Sequence, residues 1–228
     1  MLTRTTLAFL RDLEKHNERD WFNTNKDRYE AAHADVIAFA DAVLALMRKH
    51  DEIETRSGKS ALMRIYRDTR FSKDKTPYKT WWAGGFRREG ASRRGGYYFR
   101  IAPGTTYVGG GFYQPETGDL NHIRAHIAAD DKPLRKLLKA KAFRDTFGEL
   151  LGEQLKTAPK GYPKDHPAID LLRYKSLYVM REFTDAEVAS PDFAKEVDKT
   201  FRRLRPFFDY MSEVLTTDLD GQRIVDQP

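Results

Sequence analysis

Residues 97–108 read YYFRIAPGTTYV and indicate a β-hairpin. Two runs rich in aromatic and β-branched side chains, 97–101 and 105–108, are separated by Ala102-Pro103-Gly104. Such side chains are enriched in strands, and a proline followed by a glycine favours a turn. The hairpin therefore predicts an antiparallel sheet near the middle of the chain.

Three further segments have strand character. Leu62–Arg67 alternates between apolar and polar side chains, which is typical of a strand with one packed face. Trp81–Phe86 and Leu177–Met180 are short apolar runs, and each predicts one more strand of the same sheet.

Helical periodicity dominates on both sides of the strands. Residues 25–50 place apolar side chains three and four positions apart, which predicts an amphipathic helix. Near the end of the chain, Ser190 is a candidate N-cap and Pro191 a first-turn proline. An apolar stripe follows and predicts a long helix; it comprises Phe193, Val197, Phe201, Leu204, Phe208, Met211 and Leu215.

Shorter helices are predicted over 7–13, 120–129, 133–140, 143–151 and 168–173. The order of helices, strands and helices predicts an α+β fold, with a central antiparallel sheet flanked by N-terminal and C-terminal helices. Neither a repeat nor a flexible linker interrupts this order, so we expect one domain over residues 1–228.

Composition excludes several classes of protein. The chain has 228 residues, 40% of them hydrophobic and 12% aromatic, which is too many for a disordered polyelectrolyte. It has no cysteine, so disulfides, thiolate metal sites and cysteine nucleophiles are excluded. The sequence has neither an apolar run long enough to span a membrane nor a signal segment, so we expect a soluble, cytoplasmic protein.

Positive charge is concentrated in one segment. Between Arg64 and Arg100 there are eleven basic residues and three acidic ones, a net charge of +8. The whole chain carries +6, so the remaining residues carry −2. Segregated charge of this kind indicates an anionic partner more strongly than a high isoelectric point does.

The basic motif, residues 64–80, reads RIYRDTRFSKDKTPYKT. Guanidinium groups match phosphate or carboxylate with two hydrogen bonds, and lysines add mobile point charges, so this mixture suits an oxyanion. We also expect Lys175, in a second basic stretch, to contribute if the two stretches meet. The candidate ligand-binding residues are Arg64, Arg67, Arg70, Lys73, Lys75, Lys79, Tyr78 and Lys175.

Two structural interpretations compete with this one. An arginine on the packed side of a strand needs partners, and Asp68 and Asp74 are near enough in sequence to form a structural network of ion pairs. The interleaved aromatic side chains are typical of a core, although some could stack on a base. They are Tyr66, Phe71, Tyr78, Trp81 and Trp82.

Acid–base chemistry has two candidates, Asp68 in the motif and His166 in Asp165-His166-Pro167, with Asp170 available to orient the imidazole. The alternative for the second is a capped helix start at Pro167. His122 and His126 have the spacing of two metal ligands on one helix face but lack a third ligand, so we expect no metal site. No cofactor is indicated, and the pattern does not decide whether the protein is an enzyme.

The chain also resembles a known family. RIYRDTRFSKDKTPYKT, the later GYYFRIAPG and GGGFYQPE, and PKGYPKDHPAIDLLRYKSL are similar to a widespread bacterial and fungal family of conserved hypothetical proteins with a domain of unknown function. The resemblance covers roughly Leu7 to Tyr210 and implies a single domain, with no implied activity, cofactor or catalytic residue.

The leading functional hypothesis is a basic site for a phosphate-bearing small molecule or nucleotide, built by Arg64 to Lys79. A nucleic-acid-binding module is the alternative, in which Arg87, Arg88, Arg93 and Arg94 contact a phosphate backbone. A non-enzymatic interaction protein is the third. Because Arg87 to Arg94 includes glycine and reads as solvated loop charge, the anion-site hypothesis rests on the first half of the basic segment.

Overall fold

The structure of the protein is a computed structural model that describes residues 2–224. Within this range lie ten helices and four strands. The helices are α1 (Arg4–Lys15), α2 (Arg19–Thr24), α3 (Lys26–Met47), α4 (Gly58–Ala61), α5 (Thr117–Ala129), α6 (Lys132–Lys139), α7 (Lys141–Phe147), α8 (Ile169–Leu172), α9 (Asp185–Val188) and α10 (Phe193–Thr216). The strands are β1 (Trp82–Arg87), β2 (Gly96–Ile101), β3 (Thr106–Phe112) and β4 (Leu177–Phe183).

The four strands form one antiparallel sheet in the order β1-β2-β3-β4. The predicted hairpin is confirmed as β2 and β3, and the predicted strands at 81–86 and 177–180 are confirmed as β1 and β4. With helices towards both ends of the chain, the α+β class is confirmed.

The chain divides into two compact units. The first comprises the chain up to Phe86, Tyr98–Val108 and Glu182–Lys199; the second comprises Arg87–Tyr97, Gly109–Arg181 and the chain from Thr200 onwards. The expectation of one domain over residues 1–228 stays a prediction.

The core of the first unit is built around aromatic rings. Phe39 of α3 stacks on Phe193 with ring centroids 5.1 Å apart and meets Phe99 of β2 edge-on at 5.6 Å. All three rings are at most 2% exposed. The amphipathic pattern of residues 25–50 is confirmed, because its apolar positions Val36 and Val43 are also fully buried.

The core of the second unit depends on the C-terminal part of α10. Phe201, Leu204, Phe208 and Met211 of the predicted stripe are fully buried. The ring of Tyr97 packs against Phe201 and Phe208, with centroids 4.9 Å away in each case. Burying a large aromatic side chain contributes about 1.5–3 kcal/mol, so this stripe is a main source of stability for the unit.

Three consecutive glycines in β3 allow backbones to approach closely. A Cβ atom at Gly109 would overlap the carbonyl oxygen of Val179 in β4, and one at Gly110 would overlap the carbonyl oxygen of Gly96. Consecutive glycines at a strand end can either admit an anion to their backbone amides or serve tight packing. In the structure, the space beside them is filled by neighbouring backbone.

The prediction of a continuous strand over Leu62–Arg67 was wrong. The segment makes two isolated bridges, Leu62 with Gly84 of β1 and Tyr66 with Tyr78. Pro77 lies opposite the end of the segment, and a proline has no amide hydrogen to continue a ladder. The segment is therefore extended but belongs to no named strand.

Some predicted helix boundaries also differ. The helix predicted over 143–151 ends at Phe147, because Gly148 has a φ of 70° and its amide closes the last turn onto the Arg144 carbonyl at 2.8 Å. The last helix begins at Phe193 rather than directly after Ser190, whose hydroxyl accepts from the Asp192 amide. Helix α2 was not predicted.

We predict that Gly109→Ala destabilises the protein by about 3 kcal/mol, because the new methyl group meets backbone that cannot move without breaking the sheet. Gly118→Ala is the matched control: Gly118 lies in α5 with open space around it, so the same substitution should stabilise by up to about 1 kcal/mol. Urea unfolding of both variants measures the difference, and equal stabilities would contradict the prediction.

Candidate functional site

The basic motif folds as an irregular hairpin in the first unit. The Arg67 amide donates to the Pro77 carbonyl at 2.9 Å, and the Lys79 amide donates to the Ile65 carbonyl at 2.8 Å. Ile65 is 2% exposed and anchors the first arm of this hairpin in the core. Most of the motif's polar side chains are consequently left on the outside.

The second arm is attached to the connection between α1 and α2. The side chain of Asn17 donates to the Tyr78 carbonyl at 2.9 Å and accepts from the Tyr78 amide at 3.0 Å. The ring of Phe22 in α2 stacks on Tyr78, with centroids 4.0 Å apart and planes 11° from parallel. These contacts place α2 beside the motif.

The turn of the motif is held by Asp74. Its carboxylate accepts from the amide of Thr76 at 2.9 Å and from the Thr76 hydroxyl at 2.8 Å, and it pairs with the guanidinium of Arg67. The Thr76 amide first, and then the Arg67 guanidinium, lower the pKa of Asp74 to about 2. The carboxylate is therefore ionised at neutral pH and keeps Arg67 in place.

Asp68, one of the two proposed proton-handling groups, pairs with Arg70. Two nitrogens of the guanidinium donate to the carboxylate, at 3.0 and 2.7 Å. The hydrogen bonds from Arg70 lower the pKa of Asp68. A carboxylate stabilised in its charged form is a weaker base, so the geometry adds no support for catalysis by Asp68.

Among residues 2–224, the remaining basic side chains of the motif form no ion pair with an acid. Lys75 donates to the Thr69 carbonyl and Lys79 to the Arg64 carbonyl, each at 2.8 Å. Partial burial, together with the charge of Arg64, lowers the pKa of Lys79. Among residues 2–224, no ion pair of Arg64 or Lys73 is found, and both side chains are exposed.

A cleft of about 330 Å³ lies beside the hairpin. The cleft is lined on the α2 side by Arg19 and Asn23. The rest of its lining comes from the hairpin and comprises Tyr66, Arg67, Thr69, Pro77 and Tyr78. Two guanidinium groups from different parts of the chain thus border one small space. The volume is at the lower end of the range found for small-molecule sites.

The aromatic residues of the motif divide into two groups. Tyr78 and Trp82 are 5% and 1% exposed and belong to the core. Tyr66 is 53% exposed and Phe71, at the tip of the turn, is 96% exposed. The rings of Tyr66 and Phe71 are therefore accessible from solvent.

The expectation that Arg87 to Arg94 is solvated loop charge was wrong for two of its members. In the second unit, Arg88 is 4% exposed and donates to Asp209 at 2.5 Å and to the Ser212 hydroxyl at 3.3 Å. Arg94 pairs with Asp119. Sequence reasoning missed these pairs because Asp209 and Asp119 are distant along the chain and a buried arginine has no local signature.

Lys175 and His166 lie in the second unit. The ammonium of Lys175 pairs with Glu153. The Nδ1 atom of His166 accepts from the Ala168 amide at 3.1 Å, just before α8. The carboxylate of Asp170, expected to orient the imidazole, instead binds the guanidinium of Arg135 at 2.6 and 2.9 Å.

His122 and His126 share one hydrogen-bonding neighbour. The Nε2 atoms of both rings lie within hydrogen-bonding distance of the Thr217 carbonyl, at 2.8 and 3.1 Å. In the part of the chain that the structure describes, no three histidine or carboxylate side chains are arranged to hold a metal ion.

Sequence reasoning missed the contribution of α2 to the site. Arg19 and Asn23 border the cleft only because Asn17 and Phe22 bring α2 to the motif. The segment has six helical residues, too few for a periodic apolar pattern. The one available signal was the aromatic pair Trp21-Phe22 between polar residues.

Fold and site together define an α+β protein with a basic hairpin beside a small polar cleft. The chain belongs to the conserved hypothetical protein family DUF2461, whose model matches residues 5–210, so the resemblance noted in the sequence is confirmed. No curated protein and no solved structure matches the chain. Within residues 2–224, every helix is too short or too polar to cross a membrane.

We predict that Arg88→Ala destabilises the protein by about 2 kcal/mol, because it removes a buried guanidinium together with its hydrogen bonds to Asp209 and Ser212. Arg70→Ala is the control from the same basic segment. Its side chain is 77% exposed, so the midpoint of unfolding should hardly change. Thermal unfolding compares the two, and a larger loss for Arg70→Ala would refute this account.

A second prediction concerns pH. The folded pKa of Asp74, about 2, lies below its ordinary value of 3.8, so its contribution to stability is present above that value and is lost as the pH falls towards 2. Arg67→Gln should raise the pKa of Asp74 only part of the way towards 3.8, since the hydrogen bond from the Thr76 amide remains. Carboxyl ¹³C shifts from NMR titration measure it, and an unchanged pKa in the variant would contradict the assigned role of Arg67.

Proposed function

We propose that the cleft beside the basic hairpin binds a phosphate-bearing small molecule or nucleotide, with Arg19 and Arg67 contacting the phosphate. The observation that carries the proposal is that Arg19 and Arg67 both line one cleft of about 330 Å³. Guanidinium groups donate pairs of hydrogen bonds that match phosphate oxygens. The proposal includes the cytoplasmic location expected from the sequence.

The charge of the motif supports an anionic ligand. Residues 64–79 carry six basic and two acidic side chains, and each acid pairs with one arginine, Asp74 with Arg67 and Asp68 with Arg70. The structural interpretation therefore has support for two of the six basic residues. Arg64, Lys73, Lys75 and Lys79 remain without an acidic partner among residues 2–224 and leave the hairpin with an excess of positive charge.

The position of Arg19 supports a binding role more directly. It is the first residue of α2, its side chain is exposed, and no ion pair of Arg19 occurs among residues 2–224. A charge that borders a cleft without an acid to neutralise it raises the local concentration of anions. Arg67, held by Asp74 and only 22% exposed, offers a fixed donor beside it.

The tyrosines support a ligand with a planar part. Tyr66 is held against Tyr78 and Phe22, with ring centroids 5.5 and 6.4 Å away, and is still 53% exposed. A ring fixed on one side and open on the other can stack on a nucleobase. This favours a nucleotide over inorganic phosphate as the ligand.

The nucleic-acid alternative based on Arg87, Arg88, Arg93 and Arg94 has less support. Arg88 and Arg94 are bound to Asp209 and Asp119, so two of the four charges are neutralised within the protein. Catalysis by Asp68 or His166 is not part of the proposal, because Asp68 pairs with Arg70 and His166 accepts from the Ala168 amide.

Isothermal titration calorimetry with AMP and with inorganic phosphate tests the proposal. Arg19→Gln should weaken binding of both about tenfold or more, the effect of losing a hydrogen bond between charged groups. Tyr66→Leu should weaken AMP binding and leave phosphate binding unchanged, because only the base stacks.

Arg4→Gln is the matched control, since Arg4 is an exposed arginine at the start of α1 and the substitution changes the net charge equally. Binding that is equally weak in Arg4→Gln and Arg19→Gln would mean that only overall charge matters. The proposal would be overturned if the unaltered protein bound neither AMP nor inorganic phosphate at millimolar concentration.

A further inference from the structure

The second unit contains another concentration of positive charge. Residues 132–144 read KPLRKLLKAKAFR, with six basic residues and no acidic one. They form α6 and the start of α7, separated by Ala140 alone. This run lies outside the basic segment 64–100, and none of its residues lines the cleft beside the hairpin.

Three of the lysines form a row on α6. Lys132, Lys136 and Lys139 are related by steps of four and three residues, so they lie on one face of the helix. With a rise of 1.5 Å per residue, the row is about 10.5 Å long. All three are exposed, whereas Leu134 of the same helix is fully buried.

Within the part of the chain that the structure describes, four of these six basic residues form no ion pair. The ion pairs of this segment involve Arg135, which binds Asp131 and Asp170, and Lys141, which binds Asp145. Among residues 2–224, no ion pair of Lys132, Lys136, Lys139 or Arg144 is found. We call these four residues the basic ridge.

The ridge borders the larger cleft of the second unit, of about 830 Å³, through Lys139 and Arg144. The acids in its wall are Asp145, Asp170 and Glu149. Asp145 pairs with Lys141, and Asp170 shares the guanidinium of Arg135 with Asp131. The wall has four cations, Arg135, Lys139, Lys141 and Arg144, against these three acids, so its formal charge is positive by one.

A linear row of charges suits a linear polyanion better than a compact ligand. Lysines spread over about 10.5 Å each meet a different phosphate when the ligand carries phosphates in series. Lysine is a mobile point charge without a fixed fork of donors, which suits contacts to a phosphate backbone and carries no base recognition.

An acidic protein partner fits less well. Protein interfaces depend on a few buried aromatic or aliphatic anchors. Within residues 2–224, the large exposed apolar side chains all lie outside α6 and α7, at Met63, Tyr66, Phe71, Tyr113, Leu151, Leu219 and Ile224. The ridge offers charge without such an anchor.

We propose that the basic ridge binds the phosphodiester backbone of nucleic acid without sequence preference. The site is separate from the phosphate site proposed at Arg19 and Arg67, and the two proposals fail or succeed independently.

Fluorescence anisotropy with a labelled 20-base-pair duplex, of two unrelated sequences, tests this proposal. If four phosphates are neutralised, affinity should fall about 150-fold between 50 and 200 mM salt, as expected for a slope of about 0.9 per contact. The triple variant K132Q/K136Q/K139Q leaves one contact, so its affinity should fall only about 3.5-fold over the same range.

Two matched variants separate the ridge from general charge and from folding. K26Q/K195Q/K199Q removes the same charge from three exposed lysines elsewhere and should bind as the unaltered protein does. K132R/K136R/K139R keeps the charge and should keep the affinity. Arg19→Gln should leave duplex binding unchanged, and the glutamine triple variant should bind AMP normally.

Three results would overturn the proposal. The first is that the unaltered protein does not bind the duplex at 50 mM salt. The second is that K132Q/K136Q/K139Q and the unaltered protein show the same salt dependence. The third is that a poly-glutamate peptide binds at least as tightly as the duplex. The last result would assign the ridge to an acidic protein partner.

Discussion

The hydrogen bonds between the side chain of Asn17 and the backbone of Tyr78 hold the candidate site together. One amide side chain satisfies both the donor and the acceptor of a single residue, with distances of 2.9 and 3.0 Å. The stack of Phe22 on Tyr78 adds an apolar contact at the same point. Because these contacts bring α2 to the hairpin, Arg19 and Arg67 border one cleft instead of two separate surfaces.

The distribution of ion pairs decides which charges remain available to a ligand. Arg88, Arg94 and Arg135 are bound by acids from other parts of the second unit, and they serve to hold that unit together. In the hairpin of the first unit, two acids are shared among six basic residues. A net charge read from the sequence counts paired and unpaired basic residues equally, whereas only an excess of unpaired basic residues attracts an anion.

The two basic surfaces differ in shape, and the difference separates their proposed ligands. At the hairpin, guanidinium groups and a half-exposed tyrosine border a small cleft, which suits a compact ligand with a planar part. On α6, lysines form a row along an exposed face, which suits an extended chain of phosphates. The residues of each proposed site belong to one compact unit.

The sequence by itself determined the α+β class, the β2–β3 hairpin and the apolar stripe of α10, because these depend on local propensity and on a period of two or 3.6 residues. It also located the basic motif. The tertiary structure alone decided which arginines are neutralised. It also decided that Arg19 borders the cleft beside the hairpin. Asp209, Asp119 and Asn17 act on residues distant along the chain, and pairing at such separations leaves no periodic signal in one sequence.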